Sequence, residues 1–127
     1  MNSEPQFFIC NHCGNLIHLI ENAGVPIGCC GEPMHRLHPN TAEAAQEKHL
    51  PVSQVDGNVL QVSVGSTHHP MSQEHAIRWV YLQTQRGGQL KYLQPDEAPQ
   101  VHFTLDQDKA IALYAYCNLH GLWKAEV

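Results

Sequence analysis

The sequence predicts a mainly β protein, in which a small N-terminal metal module is followed by an antiparallel β-sandwich. Two pairs of cysteines lie close together between residues 10 and 30, whereas apolar and polar side chains alternate along several short segments from residue 52 onward. The stretch between these regions, residues 38–46, is polar and rich in alanine, as is typical of a linker. We therefore expect a four-cysteine module over residues 1–37 and a β-sandwich domain over residues 38–127.

The composition is that of a globular protein and restricts its function. Of the 127 residues 43% are hydrophobic and 15% are charged, and no apolar run approaches the roughly 20 residues that cross a bilayer. The net charge of −5, with only 7 lysines and arginines, argues against nucleic acid as the main partner. The first residues lack the basic and apolar regions of a secretory signal, so we expect a cytoplasmic protein whose cysteines bind metals or react.

The N-terminal cysteines predict a metal site with four thiolate ligands. Cys10 and Cys13 form a Cys-x-x-Cys-Gly knuckle, in which two thiolates converge on one ion. Cys29 and Cys30 are adjacent, and adjacent side chains of an extended chain point to opposite faces, so this pair needs a backbone bend. Gly28 and the glycine at position 31 are expected to supply it. Zinc and iron both accept four thiolates, and a catalytic dithiol is a third interpretation.

Period-two patterns predict the strands of the sandwich. Turns are expected at Asp56-Gly57 and Arg86-Gly87-Gly88, and residues 122–127 are expected to close the sheet. Before the sandwich, residues 40–43 are predicted to begin a single helical turn. The apolar residues that alternate along each predicted strand are Leu60, Val62 and Val64; Ile77, Trp79 and Tyr81; Val101, Phe103 and Leu105; and Ile111, Leu113 and Ala115.

The remaining cysteine and part of the ten histidines predict a second metal site. The candidate ligands fall at predicted boundaries between loops and strands, where a rigid sheet can support a site. They are His49, His69, His75, Cys117 and His120. Four imidazoles and one thiolate make a five-coordinate site with one open position, which favours iron over zinc or blue copper. His68 is ambiguous, and the histidines expected to be ordinary surface or satisfied residues are His12, His18, His35, His38 and His102.

These motifs, taken together, resemble those of one known family. Cys10-Asn-His-Cys13-Gly14 and Cys29-Cys30-Gly31-Glu-Pro33-Met34 resemble the desulforedoxin-type iron module. Four further segments resemble superoxide reductase: Glu47-Lys48-His49-Leu50-Pro51-Val52, Gly65-Ser-Thr-His-His69-Pro70-Met71, Glu74-His75-Ala-Ile77-Arg-Trp79 and Cys117-Asn118-Leu-His120-Gly121-Leu122-Trp123. In this order the segments are similar to the desulfoferrodoxins, the two-iron class of superoxide reductases, over nearly the whole chain.

The resemblance implies a fold, two cofactors and an activity. The sandwich would be immunoglobulin-like, and its ferrous iron would be held by equatorial His49, His69, His75 and His120 and by axial Cys117. A second iron would be held by Cys10, Cys13, Cys29 and Cys30 and would relay electrons from a rubredoxin-like donor. The implied activity is the one-electron reduction of superoxide to hydrogen peroxide, in a protein that is generally homodimeric.

Two charged residues next to His49 are candidates for catalysis. In a protein with a charge of −5, Lys48 is expected to attract superoxide locally and to help deliver a proton through water. Glu47 is expected to occupy the open iron position after oxidation and to leave it on reduction. The competing hypothesis is a metal-binding or electron-transfer protein without catalysis, with copper or zinc in place of iron.

Overall fold

The computed structural model describes residues 4–127, which form two compact units. One unit ends at His38, and the other runs from Pro39 to Val127. Strands pair antiparallel in both units, so the predicted mainly β fold class is confirmed. Among the described residues, no helix has the length and apolar character needed to span a membrane.

The first unit is a small sheet with a short hairpin. Its strands are β1 (Gln6–Ile9), β2 (Leu16–Leu19), β3 (Gly28–Cys29), β4 (Glu32–Pro33) and β5 (His35–Arg36). Strand β1 lies between β2 and β5, and β3 pairs with β4. The buried side chains of this unit are Phe7, Cys10 and Met34 among the residues described. So small an apolar core contributes little to stability, so the unit depends on what its cysteines bind.

The second unit is a sandwich of two antiparallel sheets preceded by one helical turn. Its elements are α1 (Gln46–His49), β6 (Pro51–Asp56), β7 (Val59–Val64), β8 (Ile77–Thr84), β9 (Gly87–Tyr92), β10 (Gln100–Thr104), β11 (Ala110–Cys117) and β12 (Gly121–Glu126). One sheet has the order β10-β7-β6, and the other has the order β12-β11-β8-β9. Three strands facing four in this order form an immunoglobulin-like sandwich, as predicted.

The core lies between these two sheets and contains a predicted metal ligand. Strand β7 contributes Leu60, Val62 and Val64, and Phe103 of β10 lies in the same cluster, as the alternation predicts. Burying each such side chain stabilises the fold by roughly 1.5–3 kcal/mol. Cys117 belongs to this cluster and is 0% exposed, so its sulfur is fixed by the packing of the sandwich.

The predicted alternation along β8 is wrong. Ile77, Val80 and Leu82 lie in the core cluster, whereas Trp79 stacks on a tyrosine of β11 on the other face. The cause is a shift in register between β8 and β11 next to Cys117, where a β-bulge exchanges the faces of the strand. A second shift, after Ala110, leaves Ile111 outside the core cluster.

The helical turn predicted after Asn40 is also wrong. Asn40 has a φ of 62°, and its side-chain amide pairs with the backbone of Lys124 in β12 at 2.9 and 3.1 Å. These bonds tie the start of the second unit to its last strand. The helical turn is instead α1, which ends at His49 before Pro51 opens β6.

Candidate metal centres

The four N-terminal cysteines converge at one point. Their sulfur atoms all lie within 4.8 Å of one another, and the sulfurs of Cys13 and Cys29 are 3.5 Å apart. Cys30 and Gly31 form the two-residue turn between β3 and β4, with φ angles of 53° and 78°. The predicted bend of the adjacent cysteines is therefore made by Cys30 itself with Gly31, whereas Gly28 remains paired within β3.

The electrostatics of these thiols call for a cation. Backbone N–H groups of Cys13 and His12 point at the sulfur of Cys10 and lower its pKa to about 6. The neighbouring sulfurs of Cys13, Cys10 and Cys29 raise the pKa of Cys30 to about 12. Four thiolates at these distances repel one another unless a metal ion neutralises them, so this donor set fits a metal with four thiolate ligands.

One edge of this site reaches the surface. Cys10 is buried, whereas Cys13 and Cys30 are exposed. The side-chain amide of Asn15 donates to the sulfur of Cys29 at 3.7 Å. The four ligands would fill the coordination shell of a bound ion and leave no position for a substrate. One side of the site would still border the solvent.

The second group of donors brings together distant parts of the chain at one end of the sandwich. Its members are His49, which ends α1; His69 and His75, in the loop between β7 and β8; Cys117, which ends β11; and His120, in the turn before β12. Their nearest donor atoms all lie within 4.8 Å of one another. The donors therefore lie at the ends of elements or in the loops and turns between them, on strands that the two sheets hold in place.

The four imidazoles form a closed ring around one point. The centroid of His49 is 4.5 Å from that of His69 and 5.0 Å from that of His120. The centroid of His75 is 4.6 Å from that of His69 and 5.1 Å from that of His120. Neighbouring rings meet edge to face at 75–85°. The sulfur of Cys117 lies 3.9 Å from Nδ1 of His120 and adds a fifth donor.

Hydrogen bonds select the nitrogen that faces the centre. Nδ1 of His49 lies 2.7 Å from the carbonyl of Ala45, and Nδ1 of His69 lies 2.6 Å from that of Pro70. A carbonyl only accepts, so Nδ1 carries the proton and Nε2 keeps its lone pair. The two Nε2 atoms lie 3.1 Å apart, and Nε2 of His49 lies 3.2 Å from Nδ1 of His120. Three Nε2 atoms and one Nδ1 atom are thus the donors available to an ion.

Burial favours the neutral, metal-binding form of three of these imidazoles, those of His49, His69 and His75. Burial lowers the pKa of His69 to about 4, and burial is also the largest cause that lowers the pKa of His49 and of His75. Nε2 of His75 is buried and has no hydrogen-bond partner in the described chain. Neutral rings with converging lone pairs, one of them otherwise unsatisfied, fit a transition-metal ion.

The thiol of Cys117 also needs a positive charge nearby in order to ionise. Burial raises its pKa, while the backbone N–H groups of Leu119 and His120 and the charge of Arg78 act in the opposite direction. The backbone thus already directs donors at the sulfur. A metal ion at the centre would supply the remaining stabilisation of the thiolate.

Glu47 and Lys48 lie on α1, next to His49, and both are exposed. After burial and the neighbouring histidines, the charge of Lys48 also lowers the pKa of His75, so its field reaches the donor group. The backbone of Glu47 is held by the turn after β7, because its carbonyl accepts from the N–H of Thr67 at 2.9 Å and from the hydroxyl of Ser66 at 3.3 Å. These bonds hold the backbone of α1, and the side chain of Glu47 is exposed to solvent.

The remaining histidines lie outside both donor groups. His68 is exposed and its ring faces the side chain of Gln100 at 3.5 Å, whereas its neighbour His69 belongs to the second group. His12 pairs with Glu32 at 3.0 Å. The other histidines outside the groups are His18, His35, His38 and His102.

Sequence reasoning missed two residues that shape the second group. Gly65 has a φ of +85°, and a Cβ there would lie 2.7 Å from the carbonyl oxygen of Glu47. Asn118, between Cys117 and His120, bonds to the loop that carries His75. Both lie inside motifs that the sequence displays, but their partners become visible only in the folded chain.

Known proteins match the chain along nearly its whole length. The family model described as Desulfoferrodoxin matches residues 41–126, and that of the desulfoferrodoxin N-terminal domain matches residues 2–37. A desulfoferrodoxin of Nitratidesulfovibrio vulgaris is 40% identical over 126 residues, which are 99% of this chain and 99% of that protein.

Solved structures of superoxide reductases resemble this one. The superoxide reductase from Treponema pallidum is 41% identical with a TM-score of 0.83, over 98% of this chain and 100% of that chain. The superoxide reductase (1Fe-SOR) from Giardia intestinalis is 30% identical with a TM-score of 0.55, over 64% of this chain and 97% of that chain.

The chain belongs to the desulfoferrodoxin family. Membership of this family, together with the four-cysteine group and the group of four histidines and one cysteine, supports two iron sites, in agreement with the prediction.

Proposed function

We propose that this chain is a superoxide reductase, which reduces superoxide by one electron to hydrogen peroxide. The observation that carries the proposal is the closed ring of four imidazoles around one point, with one buried thiol as the fifth donor. Five protein donors leave one position of an octahedral ion open for a small substrate. The solved structures named superoxide reductase, one of which covers 98% of this chain, support the proposal.

The proposed ligands fall into two sets. One iron would be held by His49, His69, His75 and His120 and by Cys117, in a domain of residues 38–127. The other is held by Cys10, Cys13, Cys29 and Cys30, in a module of residues 1–37. When bound to the first set, ferrous iron supplies the electron and, with four neutral ligands and one thiolate, a net formal charge of about +1 that attracts an anion.

The protein's own groups prepare this site. Hydrogen bonds from Nδ1 to backbone carbonyls fix the rings of His49 and His69, so little reorganisation is needed during the reaction. The thiolate of Cys117 is held by the sandwich core and by backbone N–H groups. With an iron ion bound, the negative charge of this thiolate would weaken the hold of the metal on peroxide and so favour its release as hydrogen peroxide.

Lys48 and Glu47 have opposite proposed roles. The ammonium of Lys48 draws superoxide towards the site against the net charge of −5 and helps to deliver a proton through water. The carboxylate of Glu47 would serve as a sixth ligand to ferric iron, whose extra positive charge favours an anion, and would be free of the metal in the ferrous protein. Replacement of Glu47 with Ala should change the ferric absorption spectrum and its pH dependence, and an unchanged spectrum would remove Glu47 from the mechanism.

The four cysteines would hold an iron whose chemistry is electron transfer, with a rubredoxin-like protein as the proposed donor. Its four ligands leave no position for a substrate, and the exposure of Cys13 and Cys30 supports electron entry from the surface. We further propose a homodimer in the cytoplasm, where reducing conditions keep cysteines available as metal ligands.

Pulse radiolysis of the reduced, iron-loaded protein tests the proposed function. A pulse of superoxide should oxidise the iron of the histidine site in a second-order reaction and yield one hydrogen peroxide per iron oxidised. A protein that only stores metal or carries electrons would hold the metal without this reaction. Metal analysis of the same sample should give two irons per chain, and zinc at the four-cysteine site would reduce that module to a scaffold.

A further inference from the structure

His75 is held differently from the other Nε2 donors. The rings of His49 and His69 are each fixed by a hydrogen bond from Nδ1 to a backbone carbonyl. Among residues 4–127, no such bond fixes the ring of His75, whose Nε2 is also without a partner. His75 lies in an irregular loop before β8. Its position therefore depends on how the backbone of that loop is held.

Side chains hold this backbone at several consecutive residues. The hydroxyl of Ser72 accepts from the N–H of His75 at 3.1 Å and donates to its carbonyl at 3.2 Å. The guanidinium of Arg78 donates to the carbonyl of Gln73 at 3.1 Å. Both contacts are local, since Ser72 and Arg78 lie within the loop or just after it. They define the shape of the loop but do not attach it to the rest of the site.

Asn118 makes that attachment. Its Oδ1 accepts from the N–H of Ala76 at 2.9 Å, and its Nδ2 donates to the carbonyl of Glu74 at 2.8 Å. Its own backbone N–H donates to the carbonyl of Ala76 at 3.3 Å. One residue thus binds the backbone immediately before and after His75. The partners are 42 and 44 residues away along the chain, so the contact joins two separate segments.

The orientation of this amide is fixed by its partners. An N–H group can only donate and a carbonyl can only accept, so a rotated amide would place two donors together at Ala76 and two acceptors together at Glu74. Asn is therefore suited to the position because it offers one donor and one acceptor side by side. Aspartate offers no donor, and alanine offers neither.

We infer that Asn118 is a positioning residue that fixes the imidazole of His75 relative to the sulfur of Cys117. Asn118 follows Cys117 directly in the chain, so the residue whose amide holds both sides of His75 is covalently joined to the sulfur donor of the same group. The inference rests on the ligand set of the proposed function. Loss of a residue that orients a metal ligand typically costs about 10- to 100-fold in metal affinity, and we expect a loss in this range.

The test uses the two irons of one full-length chain, one of them as an internal reference. Wild type, Asn118→Ala and Asn118→Asp are loaded with iron and exposed to a chelator. Loss from the histidine site is followed by its thiolate-to-iron absorption band and compared with loss from the four-cysteine site. Both variants should lose the iron of the histidine site about 10- to 100-fold faster, with unchanged loss from the four-cysteine site. The added negative charge of Asp favours a cation, so faster loss in that variant cannot be an effect of charge.

Asp108→Ala is the matched control. The carboxylate of Asp108 also accepts hydrogen bonds from two backbone N–H groups, those of Arg86 and Lys109. Asp108 lies just before the start of β11, whereas Cys117 is the last residue of that strand. This control should leave both rates of iron loss unchanged.

Hydrogen exchange of the metal-free proteins adds a measurement that does not depend on iron. The backbone amide of Ala76 should exchange faster in the Asn118 variants than in wild type, and at the wild-type rate in the control.

The outcomes separate the two claims. If the Asn118 variants melt at lower temperature but lose iron from the histidine site at the wild-type rate, Asn118 only stabilises the fold and the inference is wrong. If Asn118→Ala does not fold, the rate at which Asn118→Asp loses iron from the histidine site decides whether the inference is correct. If the wild type binds no iron at the histidine site, the proposed function itself fails. If iron binds and the Asn118 variants release it faster while wild type does not reduce superoxide, the inference stands and the proposed activity fails.

Discussion

The indole of Trp123 contacts two of the proposed iron ligands at once. Its ring stacks on the imidazole of His49, with centroids 4.8 Å apart and planes at 30°, and its Nε1–H donates to the carbonyl of His120 at 3.1 Å. Trp123 is 2% exposed, so both contacts are buried. A single buried side chain therefore links the ligand that ends α1 to the ligand that precedes β12.

Substitutions of Trp123 should separate packing from ligand orientation. Trp123→Ala should destabilise the second unit by about 3–5 kcal/mol, measured by urea denaturation, because it leaves a large cavity. Trp123→Phe keeps an aromatic ring but loses the hydrogen bond to His120, so it should cost less stability while still shifting the ferric absorption spectrum. Trp79→Phe, at a tryptophan that stacks on Tyr116 outside the site, serves as the control and should leave the spectrum unchanged.

Gly65→Ala should disturb α1 by steric conflict. A Cβ at this position would clash with the carbonyl oxygen of Thr67 in its own loop, and it would lie 2.7 Å from the carbonyl oxygen of Glu47 and 2.8 Å from the carbonyl carbon of Lys48 in α1. Gly57 also has a positive φ, +63°, but a Cβ there meets nothing within 4 Å. Gly57→Ala should therefore cost only the roughly 1–2 kcal/mol of left-handed backbone. Gly65→Ala should cost clearly more in thermal unfolding and should also slow the reaction with superoxide, and equal effects of the two substitutions would contradict the steric explanation.

Lys48→Ile should slow the second-order reaction with superoxide severalfold and reduce its dependence on ionic strength. The physical reason is the loss of the local positive charge that opposes a net charge of −5. Pulse radiolysis at several salt concentrations measures both effects. Lys91→Ile is a suitable control, since Lys91 is an exposed lysine on β9. If the rate constant of Lys48→Ile equals that of wild type, Lys48 has no role in attracting the substrate.

Cys117→Ser should keep the sandwich and lose the chemistry of the site. The side chain is isosteric within the core cluster, so circular dichroism should remain that of a β-sandwich, although a buried hydroxyl costs some stability. The thiolate-to-iron absorption band of the histidine site and most of the reductase activity should disappear. The bands of the four-cysteine iron should remain and thereby show that the first unit is intact.

Much of the fold and of the donor set could be predicted because short-range patterns encode them. The alternation of Leu60, Val62 and Val64 with polar residues is enough to define the core face of β7. The alternation along β8 failed because a bulge depends on pairing with β11, which no local pattern contains. Similarly, the spacing of Cys29 and Cys30 demands a bend but does not say which residue makes it.

The orientation of the donors could not be predicted for the same reason. Sequence indicates that His75 and Cys117 are candidate ligands, because each lies at a predicted boundary between a loop and a strand. It cannot indicate that Asn118 binds the backbone on both sides of His75, since those contacts span more than 40 residues. Sequence motifs are thus enough to predict which residues are ligands, whereas the orientation of those ligands depends on contacts between residues far apart in the chain.

The wide separation of the donors along the chain has a consequence for the order of events during folding. His49 and His120 are 71 residues apart, and their nitrogens meet only when strands of both sheets have assembled. Bringing together such distant segments carries a loop-closure entropy that local structure cannot offset early. The ion should therefore bind at this end of the sandwich late in folding. As a result, only folded domains would carry the reactive metal, and incompletely folded chains would not.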